Sequence, residues 1–243
     1  RIGLTLDELP SAPMSPEGSS YLSVLYNGMV HPFTIFPVKG VIWYQGEANV
    51  GRARQYSLLF QSLIADWRKQ WKQELPFYFV QLANYLRSQE IQPDSKWAAL
   101  REAQSDALSM EGTGMVSAID LGVAHDIHPK NKQEVALLSL ANTYQRGTYD
   151  VPAFLEYRIS GNKLILSFDC EVKTATGEPK GFIIAGPDQV FYQATATIQG
   201  KEVILESPEV EIPIAARYGW ADNPECNLYG TAGLPVAPFR TDK

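Results

Sequence analysis

The chain has 243 residues, of which 45% are hydrophobic and 20% charged, with a net charge of −6. That profile can bury a core of ordinary size. It argues against nucleic acid or an anionic membrane as partner, since either needs a basic face, and no apolar run approaches the roughly 20 residues of a membrane span. Cys170 and Cys226 are too few for a disulfide framework and lack metal-ligand spacing, so they form one disulfide or none.

Arg1 reads as a cut end left by processing or cloning, so any targeting segment would lie upstream of it. Arg1–Ser20 is rich in Pro, Ser and Gly and reads as loop. Val38–Tyr44 is a near-continuous apolar run, the pattern of a strand buried on both faces of a parallel sheet. Tyr56, Leu59, Phe60, Leu63, Ile64, Trp67 and Trp71 then recur at spacings of three and four, predicting an amphipathic helix over Arg52–Trp71. After Pro76 comes a second buried strand, Phe77–Leu82, then a helix over Trp97–Ser109. A third strand lies within Thr113–Leu121, centred on Met115–Ile119, and a third helix over Lys130–Arg146. Strand and helix alternate across Val38–Arg146, which implies parallel strands with helical crossovers.

After Tyr149 the pattern changes. Asn162–Phe168, Gly181–Ala185, Ala194–Ile198 and Lys201–Leu205 are short β-prone runs separated by Gly, Pro or Asp. Gln199-Gly200 reads as a hairpin turn. A boundary is expected near residue 150, between an α/β core (1–150) and a β-rich region (151–243).

Few residues are candidates for chemistry. The chain has three histidines, His31, His125 and His128. His128 follows a strand and precedes a helix, the position where open α/β sheets place reactive groups. It reads as a general base with Asp126 as its orienting acceptor. It reads equally as part of a helix-entry device, with Asp126 as cap and Pro129 in the first turn. A metal site from His125, Asp126 and His128 is the weakest of the three readings, because no third-ligand motif supports it.

The turn Gln45-Gly46-Glu47-Ala48-Asn49, at the carboxyl end of the first strand, can aim backbone N–H groups and an amide side chain at a developing oxyanion. Alternatively it is a plain strand-to-helix loop, with Gly46 for backbone freedom and Asn49 as a cap. Tyr44, at the strand end, is the aromatic residue best placed to meet a sugar; Trp43, Trp67, Trp71, Tyr78 and Trp97 read as core. Arg101-Glu102 and Lys130-x-Lys132 read by default as solvated helix faces.

Several segments together resemble the sialate O-acetylesterase family of SGNH-type hydrolases. They are Val24–Met29 (VLYNGM), Lys39–Asn49 (KGVIWYQGEAN), Pro76–Ala83 (PFYFVQLA), Leu100–Gln104 (LREAQ) and Ile127–Lys132 (IHPKNK). The likeness continues through Gly181-Phe182, Ala215–Trp220 (AARYGW) and Pro238–Asp242 (PFRTD). It spans nearly the whole chain in the family's order. The resemblance implies a three-layer, flavodoxin-like sandwich with a parallel sheet and β-rich material around it. It implies serine esterase chemistry without metal or organic cofactor, with an acetylated sugar as substrate and a secreted or periplasmic location. His128 would be the base and Asp126 a possible orienter, with Gln45, Gly46 and Asn49 at the oxyanion site. Glu47, Tyr44 and Arg101 are the residues expected to meet substrate, and Arg101 or Arg217 can pair with a sialic-acid carboxylate.

The sequence departs from the family pattern in three places. No Gly-Asp-Ser or Gly-Gln-Ser nucleophile block occurs, and Gly18-Ser19 follows no buried strand. His125 stands where related hydrolases keep an Asp, and Ala48 replaces a Ser. The nucleophilic serine is therefore expected on an N-terminal segment that precedes Arg1, together with strands that would otherwise leave the first strand here as an open edge. A non-catalytic carbohydrate-binding or scaffold piece and an acetylxylan-type esterase are the alternatives.

Overall fold

The computed structural model describes residues 23–132 and 151–242. Three strands, β1 (Val41–Trp43), β2 (Phe77–Gln81) and β3 (Thr113–Ser117), form a parallel sheet in the order β1-β2-β3. Helices α1 (Ala53–Trp71) and α2 (Lys96–Ser105) connect them. Both crossovers step in the same direction across the sheet. Because such crossovers are right-handed, both helices fall on one face. One apolar cluster records this packing: Tyr56, Phe60 and Ile64 of α1 and Trp97, Leu100 and Ala103 of α2 meet Phe77, Phe79 and Met115 of the strands. Val80, which points the other way from β2, joins Ala83 and Ala118 in a second cluster.

Local signals set the helix limits. Ser95 caps α2, its Oγ accepting from the Ala98 backbone N–H at 3.0 Å. α1 ends on Lys72 in the left-handed conformation, four residues before Pro76. The expected helix over Arg52–Trp71 agrees with α1 to within a residue, and a 3₁₀ turn, Glu47–Arg52, leads into it. The expected helix over Trp97–Ser109 resolves into α2 and a 3₁₀ turn, Asp106–Ser109. The helix predicted over Lys130–Arg146 lies largely outside the described residues.

The first strand departs from expectation. It is shorter than Val38–Tyr44 and is not buried on both faces: Ile42 is 53% exposed. Among the described residues β1 pairs only with β2, so it forms a sheet edge. The segment before it and the outer side of α1 are apolar as well. Val24, Leu25, Met29, Phe33, Ile35, Phe36, Leu58 and Leu59 are all exposed, Ile35 by 81%.

From residue 151 the chain is antiparallel. Strands β4 (Phe154–Ser160), β5 (Lys163–Phe168), β9 (Thr195–Gln199) and β10 (Glu202–Glu206) form a sheet in the order β4-β5-β10-β9. Strands β7 (Phe182–Ala185), β8 (Phe191–Gln193), β11 (Ala215–Tyr218) and β13 (Phe239–Arg240) form another, ordered β13-β11-β7-β8. The two sheets share a core of Leu164, Leu166, Val203 and Leu205 from the first and Phe182, Ile184, Ala216 and Tyr218 from the second. Strands β6 (Val172–Thr174) and β12 (Leu228–Gly230) pair separately. The expected turn at Gln199-Gly200 joins β9 to β10, with Gly200 at φ +61°. Cys170 and Cys226 are not joined in a disulfide.

Candidate active site

Parallel strands deliver the loops at their carboxyl ends to one edge of the sheet. β1 runs into the turn that begins at Tyr44, and β3 into the loop that ends at His128. The two meet. Tyr44, Gln45, Glu47 and Ala48 from the first loop and Ile127, His128, Pro129 and Lys132 from the second line one open cleft of about 390 Å³. Gly46 and Asn49 belong to the same turn without lining the cleft.

The turn is held from behind. Gln45 donates from Nε2 to Asn49 Oδ1 at 2.9 Å, and the Asn49 backbone N–H donates to the Gly46 carbonyl at 2.8 Å. The first bond leaves Nδ2 as the end of the Asn49 amide that can donate. Gln104, fully buried on α2, donates to the Gln45 carbonyl at 3.2 Å while its Oε1 accepts from the Leu82 N–H at 2.9 Å. Tyr56 donates to the same Gln45 carbonyl at 3.0 Å. Gly46 is buried at φ +157°, ψ −19°, and an added Cβ would approach Gln104 and Leu100 to 3.3 Å. Glycine is therefore needed here for packing and backbone alike.

His128 stands out from its loop, its side chain 86% exposed. Asp126 Oδ1 accepts from the His128 backbone N–H at 2.9 Å and lies 3.7 Å from Nδ1. The first contact is a hydrogen bond; the second is beyond hydrogen-bond range. In this geometry Asp126 fixes the turn, and a small rotation of the imidazole would bring Nδ1 into its reach. Both readings of Asp126, as cap and as orienter, thus use one oxygen.

Tyr44 packs between the two apolar clusters under the sheet edge. Its hydroxyl is buried and has no hydrogen-bond partner among the described residues, and the Lys132 ammonium lies 4.5 Å from the centre of its ring. Burial, helped by the Glu47 carboxylate, pushes the Tyr44 phenol up to about 12.

Arg101, expected to meet substrate or to lie on a solvated helix face, is not solvated and does not line the cleft. It is fully buried, and its guanidinium donates to four backbone carbonyls, Leu82, Ala83, Ala221 and Asp222, at 2.7–2.9 Å. Burial pushes its pKa down to about 10, still far enough above neutrality to keep the charge. The residue ties the end of β2 to the β-rich region. Arg217 is similarly engaged, paired with Asp242 at 2.6 Å and donating to the Pro93 carbonyl at 2.8 Å.

The sequence reading missed two residues that shape the site. Gln104 shares the buried face of α2 with Trp97, Leu100 and Arg101, and a polar amide on that face was the available signal. Lys132, on an expected solvated helix face, lies across Tyr44 in the cleft. Among the described residues no serine, threonine or cysteine lines this cleft. Nor is any group of three or more His, Cys, Asp or Glu side chains among them placed to hold a metal ion.

Comparison with known proteins falls on the same segments. Residues 15–146 match the family model described as carbohydrate esterase, sialic acid-specific acetylesterase. The chain is 30% identical to the sialate O-acetylesterase of Mus musculus over 257 residues, 91% of this chain and 48% of that protein. It is 28% identical to that of Homo sapiens over 261 residues, 93% of this chain and 50% of that protein. The chain thus spans about half the length of these relatives. A solved structure, described as a novel carbohydrate acetylesterase from Xanthomonas citri, superposes with a TM-score of 0.87 at 41% identity, covering 94% of this chain and 56% of that one. The family match takes in more than half of the chain, including both loops that build the cleft, and on that ground the chain belongs to the sialic acid-specific acetylesterase family of carbohydrate esterases.

Proposed function

We propose that this chain supplies the base and the oxyanion turn of a serine-type carbohydrate O-acetylesterase of the sialate type. The observation that carries the proposal is the meeting of two loops some 80 residues apart, the Gln45–Asn49 turn and the His128 loop, in one cleft at the carboxyl edge of a parallel sheet. A serine hydroxyl brought to this cleft would attack the acetyl carbonyl while His128 takes its proton. The oxyanion that forms would be met by donors of the Gln45–Asn49 turn, where Asn49 Nδ2 remains free of Gln45. His128 would return the proton to the departing sugar hydroxyl. Water, deprotonated by the same imidazole, would release acetate and restore the serine.

The serine is proposed to lie on another segment of the same precursor, because the described cleft wall carries neither a Ser, Thr nor Cys side chain. That segment is also proposed to bring strands to the open edge of β1, completing a three-layer, flavodoxin-like sandwich. The exposed Ile42 and the apolar segment before it support this reading. A boundary near residue 150 is supported by the two largest apolar clusters, whose buried members come from 56–115 and from 164–236. A secreted or periplasmic location rests on the kinship alone.

The test is release of acetate from a chromogenic acetyl ester. It is expected from the assembled polypeptide and not from this chain in isolation, and His128→Ala is expected to abolish it. Activity that survives His128→Ala would sink the base assignment. A panel of acetylated sialic acids and acetylated xylan decides between the two substrate classes. Lys132 at the cleft supports the acidic sugar, since its ammonium can meet a carboxylate.

A further inference from the structure

We infer that Asn84 and Asn223 form a strap that sets the position of the His128 loop, so that the β-rich region acts on the base from outside the cleft. Asn84 lies three residues beyond the end of β2. Its Oδ1 accepts from the Gly122 N–H at 2.7 Å, and its Nδ2 donates to Asn223 Oδ1 at 2.7 Å. Asn223 Nδ2 donates in turn to the Leu86 carbonyl at 2.7 Å, and the Leu86 N–H donates to the Ala124 carbonyl at 2.9 Å. From β12, the Tyr229 hydroxyl donates to Asp120 Oδ2 at 2.8 Å. The loop after β3 is therefore anchored at Asp120, Gly122 and Ala124, every second residue. The turn from Val123 to Asp126 and the bond that the His128 N–H donates to Asp126 Oδ1 carry that register onward.

Two further observations support positioning over simple packing. The His128 side chain is so exposed that packing does not place it, and only its backbone can. Leu86 sits at φ +73°, a conformation that a leucine adopts at a cost and keeps only where its surroundings fix it. Here Asn223 and Ala124 hold it from both sides. The approach is also close: a Cβ on Gly122 would overlap the Asn84 carbonyl, so the strap admits no larger residue there.

As far as it concerns catalysis, the inference rests on the esterase reading; as far as it concerns the loop, it does not. Two measurements keep these apart. In this chain, Asn84→Ala is expected to speed amide exchange at Gly122 and Leu86 by about ten-fold or more and to lower the backbone order parameter at His128. Amides in β2 and β5 should be unchanged. Asn223→Ala should do the same at Leu86, and it serves if the first variant does not fold. In the assembled esterase, Asn84→Ala is expected to lower kcat by about 10–100-fold with KM within about two-fold, the mark of a displaced base. Asn84→Asp, which keeps the acceptor for Gly122 but loses the donor to Asn223, should recover only part of the rate. Unchanged exchange at Gly122 and Leu86 in both Ala variants, or loss of protection spread evenly over the molecule, overturns the strap. So does a kcat equal to the parent's once the loop has loosened. Absence of acetate release by the unaltered assembly refutes the esterase reading alone, and the exchange and order-parameter results then decide the strap.

Discussion

Replacing Arg101 tests whether the buried clamp is structural and how strongly it acts. Its guanidinium donates to four carbonyls, and three of these bonds are wholly buried. Bonds from a charged donor contribute about 1.5–3 kcal/mol each, and burying the cation costs several kcal/mol in return. The balance matters less than what a substitution leaves behind. Where an ion pair is exchanged for apolar residues, both partners can be replaced and the change is often neutral. Here the acceptors are backbone and cannot be removed. Arg101→Met fills most of the space but takes the guanidinium from the carbonyls of Leu82, Ala83 and Ala221, each worth about 1–3 kcal/mol when unsatisfied, while the Asp222 carbonyl keeps the Tyr85 N–H at 3.1 Å. With partial relief from water, a loss of about 3–5 kcal/mol is expected, a large share of the roughly 5–15 kcal/mol that holds a domain together. Arg101→Lys keeps the charge but not the fork, and should lose about half as much. Urea unfolding of the three proteins gives the numbers. A Met variant within about 1 kcal/mol of the parent would refute the reasoning, because the carbonyls would then have found other partners at no cost.

Three further outcomes follow from the geometry. Because Asp126 holds the His128 backbone and not its ring, Asp126→Asn, which keeps an acceptor oxygen, should cost the assembled esterase less than ten-fold in kcat, and Asp126→Ala clearly more; equal losses would show that the negative charge, not the turn, is what counts. Tyr44→Phe removes a buried hydroxyl that has no partner among the described residues and should stabilise the chain by about 1 kcal/mol in thermal or urea unfolding. The folded-state pKa of Tyr44 is raised from 10.0 to about 12, so its contribution is complete below pH 10 and is lost as pH rises through 12. The decline in stability over that window should be shallower in Tyr44→Phe, though not absent, since burial raises Tyr218 as well. An identical slope contradicts the assignment. Finally, the isolated chain should self-associate through the open edge of β1, and Ile42→Lys should lower the apparent mass in sedimentation; an unaltered distribution of species would remove β1 as the contact.

What the sequence revealed follows the range of the forces involved. α1 could be read because its apolar positions repeat at the helical period and Pro76 marks the chain beyond its end. β2 could be read because it is central and apolar on both faces. β1 was read too long and too buried, because an apolar run announces a strand but not whether a neighbour covers it. In the β-rich region the stronger runs, Lys163–Phe168 and Glu202–Glu206, were legible. Short strands such as Val172–Thr174 and Phe239–Arg240 were not, since two or three residues hold no period and owe their form to pairing with distant chain. The cleft was legible through its motifs. Arg101 was misread because an arginine on a helix looks the same whether it faces solvent, substrate or four carbonyls.

The misreading of Arg101 points to how this cleft is built. His128 and, apart from the buried Gly46, the Gln45 turn are exposed or half-exposed. Their precision has to come from behind. Gln104 locks the Gln45 carbonyl to the end of β2, Arg101 locks the end of β2 to Ala221 and Asp222, and Asn84 carries the same frame to the loop after β3. Each brace is a polar side chain that bonds the backbone of the loop it holds, so each fixes a loop position without depending on the identity of the side chain there. A long apolar residue at any of these positions would fill the same volume and leave the loops free to slide. That is the physical reason for polar groups to occupy the buried face of α2, where helix periodicity alone calls for leucine.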